Sequence, residues 1–352
     1  MGDVMERYVR NHWYAAALST ELSPGSLVRR VVLGEAIVLF KAANGRISAL
    51  EDRCPHRNVA LSMGHVAGHN LQCGYHGLQF DGMGQCVAMP GQVGKPSGQL
   101  SVRRYAVADR HGYLWIWTGD PDQGEVDLIP DYSWQSDSGW AGTLHWQATK
   151  CNYRLALENV LDLSHATFVH QHTVGSPEVA ETPADVIKQD KHVEIVRRFD
   201  DMVLPKFYQK ATGLERARRV QSITYFDVNC VRLDVTIDPA GNVDPAAVRR
   251  LRFGGPYTPE LPGSHLHFSS AYRDFDLENE SLTGFLIDAI KSAYCEDIPF
   301  LESQQSLIDS GHAQPNKLFA VDKGPVLAMR MLDQRIADED VAASPNNRAA
   351  RQ

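Results

Sequence analysis

The chain has 352 residues, of which 43% are hydrophobic and 22% are charged, and its formal net charge at neutral pH is −8. This composition excludes a wholly disordered chain, and the length predicts about two domains. The acidic balance argues against nucleic acid as a partner, and the short charged runs at residues 191–198 and 215–219 are interpreted as solvated surface.

The N-terminal residues predict neither secretion nor membrane attachment. Residues 1–7 lack the apolar core of a signal peptide, and no apolar run reaches the roughly 18 residues that span a bilayer. The six cysteines are too few for a disulfide scaffold in a chain of this length. We therefore expect a cytoplasmic protein without a membrane partner.

Short strands are predicted for the first part of the chain. Residues 28–40 are rich in strand-forming side chains, and residues 113–117 form an aromatic and aliphatic run of strand length. The following segment, residues 119–131, is rich in glycine, proline and acidic residues and predicts a domain boundary. We therefore assign residues 1–120 to an all-β domain.

Two helices are predicted beyond this boundary. Residues 153–169 carry apolar side chains at helical spacing, with polar side chains on another arc. Residues 284–310 also predict a helix, but Pro299 lies inside it, and a proline lacks the N–H that an interior helical position donates. We therefore expect Pro299 to interrupt this second helix.

Between these helices the sequence is strand-rich. Residues 222–234 and 264–272 are the candidate strands. The mixture of helices and strands predicts an α+β domain over residues 121–337. The charged and then Ser-, Pro- and Asn-rich tail at residues 338–352 is expected to be frayed.

Two short motifs in the first domain each place a cysteine near a histidine. They are Cys54-Pro55-His56 and Cys73-Gly74-Tyr75-His76. Structural zinc sites usually pair cysteine with cysteine in one loop and histidine with histidine in the other. One cysteine and one histidine in each loop instead favour a two-iron, two-sulfide cluster, in which one iron takes both cysteines and the other takes both histidines. Zinc remains the alternative.

A further motif lies in the first predicted helix. Asn159, Asp162 and His165 recur every third residue, whereas His170 follows five residues later, so the helix is expected to loosen before His170. Two histidines with one carboxylate form a facial triad that leaves positions open on Fe(II). Asp162 is the nearest carboxylate, although it lies between the two sites, and Asp297 is a distant candidate.

Both motifs, in this order and at this chain length, resemble the oxygenase component of Rieske non-heme iron oxygenases, and the likeness is closest to the vanillate and dicamba O-demethylase branch. Further residues that carry the resemblance lie at 11–14, 88–92 and 153–155. The resemblance covers nearly the whole chain. It implies an N-terminal all-β Rieske domain and a C-terminal helix-grip-like catalytic domain with an antiparallel sheet.

The resemblance also implies the ligands of both metal centres. A Rieske [2Fe-2S] cluster would be held by two cysteines and two histidines, Cys54, His56, Cys73 and His76. Mononuclear Fe(II) would be held by two histidines and one carboxylate, His165, His170 and Asp297.

The resemblance also gives Asp162 a role. It would correspond to the bridging acid that links the iron site to His76 of a neighbouring subunit. From its position in the motif, Asn159 is expected near the iron, behind its ligands. Because a proline follows the third iron ligand by two residues, Glu296 and Glu302 are the alternative ligands.

The implied function is that of a terminal oxygenase. A separate ferredoxin or flavin reductase would supply electrons, since the chain has no glycine fingerprint for binding NAD or flavin itself, and O2 would be the co-substrate. A small aromatic substrate would undergo monooxygenation, by O-demethylation or methyl hydroxylation of an aromatic acid. The resemblance to this branch also implies a homotrimer. The alternatives are a ring-hydroxylating cis-dioxygenase and, from another class, a non-catalytic Rieske electron carrier.

Overall fold

A computed structural model describes residues 7–91, 100–239, 241 and 244–343. These residues form two compact units. The first unit comprises Arg10–Asp131 with Pro259–Leu261, and the second comprises residues 7–9, Tyr132–Thr258 and 262–343. No helix in these described ranges is long and apolar enough to cross a membrane.

The division between the units follows Asp131, eleven residues beyond the predicted boundary at 120, because the intervening acidic segment packs on the first unit. The indole Nε1 of Trp13 donates to the Glu125 carbonyl at 2.9 Å, and the Arg110 guanidinium donates to the Val126 carbonyl at 2.9 Å. A segment whose composition resembles a linker is therefore attached to the first unit by side-chain hydrogen bonds.

The first unit is all β, with short 3-10 helices at Ser19–Glu21, Leu61–Met63 and Val126–Leu128. A six-stranded sheet has the order β1-β10-β9-β4-β3-β2, and a four-stranded sheet has the order β5-β6-β7-β8. The strands are β1 (Trp13–Leu18), β2 (Leu27–Val32), β3 (Glu35–Lys41), β4 (Ile47–Glu51), β5 (His65–Ala67), β6 (Asn70–Gln72), β7 (Gln79–Phe80), β8 (Cys86–Ala88), β9 (Arg104–Arg110) and β10 (Tyr113–Trp117).

The β-rich run at residues 28–40 is a hairpin. Leu33 and Gly34 form its two-residue turn, and both have positive φ, 51° and 79°, the geometry that a tight hairpin turn requires. Strands β3 and β4 deliver apolar side chains such as Phe40 and Leu50 to a core that also contains Cys54 and Cys73. The two predicted cluster cysteines therefore lie in the hydrophobic core of this unit.

The second unit is an antiparallel sheet with helices. Seven strands have the order β11-β17-β16-β15-β14-β13-β12. They are β11 (Ala141–Thr149), β12 (Asp185–Lys188), β13 (Val193–Val203), β14 (Arg216–Asp227), β15 (Cys230–Pro239), β16 (Arg249–Leu261) and β17 (Ser264–Arg273). The α-helices are α1 (Tyr153–Leu161), α2 (Ala166–Val169), α3 (Pro177–Glu181), α4 (Lys206–Thr212), α5 (Glu280–Asp309) and α6 (Lys323–Ala343), and 3-10 turns lie at Ser133–Ser136, Leu163–His165, Pro245–Ala247 and Ala320–Asp322.

Helix α5 is continuous, so the predicted interruption at Pro299 is wrong. The side-chain oxygen of Asn279 accepts from the Leu282 N–H and caps the start, and the helix runs for 30 residues with Pro299 inside it. Pro299 is exposed, where water can reach the Cys295 carbonyl that lacks its helical donor. One missing hydrogen bond does not end a helix whose buried face packs Leu286 into the core beneath the sheet.

Three other sequence expectations are wrong. The single strand predicted at 222–234 is two strands, β14 and β15, which reverse where Asp227 pairs with Cys230. Residues 338–343 continue helix α6, and the remainder of the predicted frayed tail lies outside the described residues.

The third error concerns the runs interpreted as solvated surface. Arg197 and Arg219 are buried, because alternate residues of a strand face opposite sides of its sheet. Arg198 and Arg218 are exposed on the outer face of strands β13 and β14, and their neighbours in sequence therefore face inward.

Candidate metal centres

Two similar turns present the first group of predicted ligands. The N–H of Asn58 donates to the Cys54 carbonyl at 2.9 Å, and the N–H of Gly77 donates to the Cys73 carbonyl at 3.1 Å. Each turn therefore closes on the fourth residue after its cysteine, with positive φ at Asn58 (58°) and Gly77 (73°). A Cβ at Gly77 would lie 2.9 Å from Cγ of Pro90, so this glycine admits the close approach of the Pro90 ring.

Burial divides these four ligands into two pairs. Cys54 and Cys73 are each 2% exposed, whereas His56 and His76 are exposed, with ring centroids 4.5 Å apart. Burial raises the pKa of the Cys54 thiol, and the neighbouring Cys73 acts in the same direction. A buried pair of thiols is a site where a bound cation would displace protons.

The donor set fits a two-iron cluster better than zinc. Within the described ranges, only His165, His170 and Asp297 bring three ligand atoms close enough together to bind one ion. The two thiols and two imidazoles of the first site therefore do not converge on one tetrahedral centre. Two inner sulfur ligands and two outer nitrogen ligands match a [2Fe-2S] cluster with its histidine-bound iron toward solvent.

The second group of ligands is built around a break in a helix. Asn152 caps the start of α1, since its side chain accepts from the Arg154 N–H at 3.0 Å. Asp162 ends the helix with φ −107° and ψ 87°, and its carboxylate accepts from the Ser164 N–H at 3.0 Å. The chain therefore loosens at Asp162, ahead of His165, and helix α2 then ends at Val169, directly before His170.

Helix α5 supplies the carboxylate that completes this group. The Nε2 atoms of His165 and His170 lie 3.3 Å apart, and each lies 3.4 Å from Oδ1 of Asp297. At these separations, a single cation could lie about 2.0–2.2 Å from each of the three atoms. Two imidazoles and one carboxylate on one side of a cation are the donor set of a non-heme Fe(II) site with open positions.

Both imidazoles are held through their other nitrogen. Nδ1 of His165 contacts the carbonyl of Asp162, and Nδ1 of His170 lies 2.8 Å from Oε2 of Glu296. The hydroxyl of Thr173 donates to the same Glu296 oxygen at 2.9 Å. An Nδ1–H that donates to oxygen leaves the Nε2 lone pair free for a metal, so the contacts select the ligating tautomer.

The alternative ligands lie outside the triad. Glu296 contacts the far nitrogen of His170, and Glu302 is not part of the group of converging ligand atoms. Burial disfavours the charged form of His170, but Asp297 and Glu296 outweigh it and raise the pKa of His170. Two carboxylates beside one imidazole thus make a site that attracts positive charge.

Asn159 and Asp162 contact the iron ligands but are not part of the triad. The side-chain amide of Asn159 donates to Oδ1 of Asp297 at 3.4 Å. The Asp162 side chain is 22% exposed, and its Oδ1 lies 3.9 Å from the Arg197 guanidinium. Asp162 is connected to the triad through its backbone carbonyl on His165.

The triad borders two open spaces within the second unit. A cavity of about 100 Å³ is lined by all three triad residues and by side chains of the sheet, including Leu233, Phe253 and Gln221. A surface groove of about 450 Å³ is lined by Asp162, His165, Phe300 and Leu318, among others. Gln221 could not be found from the sequence, because it belongs to no motif, and only its position on the inner face of β14 places it at the cavity.

Comparison with known families covers both units. Residues 12–105 match the Rieske [2Fe-2S] domain, and residues 149–338 match the vanillate O-demethylase oxygenase C-terminal domain. This chain belongs to the vanillate O-demethylase branch of the Rieske non-heme iron oxygenases.

Relatives and solved structures of the family align along nearly the whole chain. The toluene-4-sulfonate monooxygenase system iron-sulfur subunit TsaM1 of Comamonas testosteroni is 33% identical and covers 96% of this chain and 100% of its own. The vanillate O-demethylase oxygenase subunit of Pseudomonas sp. strain HR199 is 32% identical, covering 96% and 97%. The crystal structure of dicamba monooxygenase bound to 3,6-dichlorosalicylic acid superposes with a TM-score of 0.88 at 28% identity, covering 96% and 100%.

The predicted family and fold class are therefore confirmed. The chain combines an N-terminal Rieske domain with a catalytic domain built on an antiparallel sheet, as dicamba monooxygenase does. It is an oxygenase component that takes electrons from a separate protein and uses a [2Fe-2S] cluster and mononuclear iron. The electron-carrier alternative does not account for a catalytic-domain match that includes a converged iron triad.

Proposed function

We propose that this chain is the terminal oxygenase of a system that demethylates or hydroxylates a small aromatic acid. The observation that carries the proposal is the iron triad in the lining of a mostly apolar cavity. At about 100 Å³ the cavity is on the scale of the roughly 150 Å³ cavity that takes up benzene. Vanillate and dicamba O-demethylases and toluene-4-sulfonate monooxygenase are relatives, and their names each specify a single-ring substrate.

We assign the catalytic iron to His165, His170 and Asp297. These three residues would hold Fe(II) on one side, and the iron would supply O2 activation at the positions that the protein leaves open. The protein residues orient the ligands: Asn159 donates to Asp297, and Glu296 accepts from His170. The apolar side chains that line the cavity exclude water and present the substrate methyl group or ring to the triad.

We assign the Rieske cluster to Cys54, His56, Cys73 and His76 in the first unit. Neutral imidazoles in place of two thiolates raise the cluster potential to roughly −150 to +300 mV, which eases acceptance of an electron. The buried cysteines keep solvent from the sulfur side, whereas the exposed histidines offer a path for electrons to and from other proteins.

We further propose that Asp162 conducts electrons between subunits of a homotrimer, from His76 of one copy to His165 of the next. Three observations support binding of a neighbouring Rieske unit in the surface groove beside Asp162. The Asp162 carboxylate is partly exposed there, exposed apolar side chains such as Phe300 (58%) lie beside it, and the neighbour of His76 on the Rieske unit, Tyr75, is 61% exposed. Apolar patches on both units are what a second copy would cover.

We infer a cytoplasmic location from the thiols. None of the six cysteines, all of which lie in the described part of the chain, forms a disulfide, as is usual for proteins of a reducing compartment. A reducing compartment also contains the nicotinamide-dependent reductases on which an oxygenase component depends.

Reconstitution with a generic NADH-dependent Rieske reductase tests the proposed function. We expect about three irons per chain, O2 uptake, and formaldehyde release from a methoxybenzoate within a panel of single-ring aromatic acids. Two irons per chain without O2 uptake would support an electron carrier. A cis-diol product without formaldehyde would favour the dioxygenase alternative.

A further inference from the structure

Arg219 is a buried cation without a matching anion. It is 1% exposed on the inner face of β14, and its Nε and Nη2 atoms have no hydrogen-bond partner among the described residues. The guanidinium carbon lies 4.4 Å from the ring centroid of Phe199 and 5.1 Å from that of Tyr208. Glu178 supplies the acidic charge that acts on Arg219, yet it makes no hydrogen bond to Nε or Nη2.

Gln221 is the next inward-facing residue of the same strand. It is 7% exposed, it lines the cavity that contains the iron triad, and its Oε1 has no hydrogen-bond partner. Inward-facing neighbours on a strand lie roughly 7 Å apart. Tyr208 also lines the cavity and is one of the two rings against the Arg219 guanidinium. Gln221 and Tyr208 therefore belong to the cavity wall, and Arg219, which is not itself a lining residue, packs against the Tyr208 ring.

The packing of Arg219 against aromatic rings accounts for only part of its burial. Cation–π contacts offset some of the cost of removing a guanidinium from water, but they leave N–H donors unused. A buried charge without a partner is destabilising, and an apolar residue of similar volume is often neutral or stabilising at such a site. A structural role alone therefore gives no reason for an arginine here.

We propose that Arg219 and Gln221 form an anion subsite that binds the acid group of the aromatic substrate. This inference rests on the proposed function, which it extends from a single-ring substrate to the residues that recognise it. The guanidinium charge would attract a carboxylate or sulfonate to this wall, and the unpaired Nε–H and Nη2–H groups are donors suited to such oxygens. A half-turn of the Gln221 carboxamide exchanges its oxygen and nitrogen, so that it also presents an N–H donor.

The subsite has a consequence for substrate orientation. Because Gln221 and the triad line the same small cavity, a ring whose acid group reaches this wall presents its other substituents to His165, His170 and Asp297. An uncharged ring would leave Arg219 unpaired in the complex, and the enzyme would discriminate against it for that reason.

Calorimetric binding to the iron-loaded enzyme tests the proposal with three probes: benzoate, benzenesulfonate and benzamide, which is a neutral analogue of benzoate. We expect at least one anion to bind about tenfold or more tightly than benzamide, and the preferred anion identifies the acid class. Arg219→Met should weaken binding of that anion about 10–100-fold while changing benzamide affinity little. The control is Arg218→Met on the outer face of the same strand, where the side chain is 57% exposed, and it should leave all three affinities unchanged.

Thermal unfolding separates recognition from a structural role. Without ligand, Arg219→Met should melt at the same temperature as the wild type or higher, since it removes an unpaired buried charge. A lower melting temperature with an unchanged preference for anions would overturn the proposal. If Arg219→Met does not fold, Gln221→Met provides the second test, and it should also weaken anion binding selectively.

The outcomes distinguish this inference from the proposed function. Equal affinity of the wild type for benzamide and both anions overturns the anion subsite and leaves the aromatic substrate in place. Absence of binding by all three probes contradicts both.

Discussion

Two consecutive residues of helix α5 hold opposite sides of one imidazole. Asp297 lies 3.4 Å from Nε2 of His170, and Glu296 lies 2.8 Å from Nδ1. Consecutive helix positions point about 100° apart, so one helix can reach both nitrogens only if the ring lies across it. The orientation of His170 is thus determined by α5, although His170 belongs to a distant segment of the chain.

We expect Glu296→Gln to weaken binding of the mononuclear iron. The amide oxygen can still accept from Nδ1 of His170, but the negative charge that polarises the imidazole is lost. Loss of such a carboxylate partner typically lowers metal affinity about 10–100-fold. Competition between the enzyme and an Fe(II) chelator measures the change, and the Rieske absorption spectrum should be unaltered.

Two further variants calibrate this effect. Thr173→Val removes only the hydroxyl that donates to Glu296 and should weaken iron binding less. His170→Ala should lose the mononuclear iron while retaining the two irons of the cluster. Glu296→Gln with wild-type iron affinity would show that the carboxylate does not support the ligand.

Residues within local motifs could be predicted from the sequence, and residues without a motif could not. The cluster motif consists of two short cysteine–histidine segments, Cys54 to His56 and Cys73 to His76, and each segment fits within one turn. Arg219 and Gln221 have no such motif, because their burial follows from which face of β14 meets other segments such as Tyr208 of helix α4. That choice depends on packing between distant segments, and the basic character of residues 215–219 alone indicates solvent.

The break at Asp162 is the element on which the iron site depends. A regular helix through residues 153–170 would spread His165 and His170 around the helix axis, since five residues correspond to about 140°. Asp162 ends α1, caps the next turn through Ser164 and accepts from His165 through its carbonyl. The sequence predicted this loosening from histidine spacing but did not locate it at Asp162.

Pro299 weakens helix α5 at an exposed position. Its ring removes one hydrogen bond to Cys295 and crowds that carbonyl. Pro299→Ala should therefore raise the free energy of unfolding by about 1–3 kcal/mol. Urea denaturation followed by tryptophan fluorescence measures it, with Ser292→Ala at another exposed position of α5 as the control.

A different stability of Pro299→Ala would contradict this prediction. Unchanged or reduced stability in Pro299→Ala, with Ser292→Ala close to wild type, would show that the proline fits its helix without strain. The sequence overestimated the effect of Pro299 on helix α5, because the tendency of proline to break a helix takes only local interactions into account. The buried face of a 30-residue helix provides more packing than one lost hydrogen bond removes.

At the scale of the whole molecule, the proposed electron path from His76 to His165 joins two copies of the chain. Asp162→Asn tests the bridge, because asparagine can still accept from Ser164 and the carbonyl contact to His165 is unchanged. We expect a trimer with full iron and a dithionite-reducible cluster. Single-turnover oxidation of the cluster in the presence of substrate should slow on the order of 10–100-fold.

The control for the bridge is Asp288→Asn, which removes an equally small acidic group at a position 71% exposed on α5. It should transfer electrons at the wild-type rate. Unimpaired coupled turnover in Asp162→Asn would exclude the carboxylate from the electron path, and a monomer by analytical ultracentrifugation would exclude the trimer.

The order of the two domains could be predicted from the sequence, but their edges could not. Motif order placed the cluster before the iron site, since each motif is contained in one stretch of chain. The edge near residue 131 depends on hydrogen bonds such as Trp13 to Glu125, which join residues more than a hundred positions apart. Composition marked that segment as a boundary without showing which side it packs on.

The unpaired Arg219 has a consequence for the lifetime of the enzyme in the cell. A ligand that neutralises a charge in the folded core stabilises only the native chain, and unfolded chains are the ones that proteases degrade. The steady-state amount of this oxygenase would then rise when its aromatic acid is plentiful and fall when that acid is exhausted, without any change in transcription.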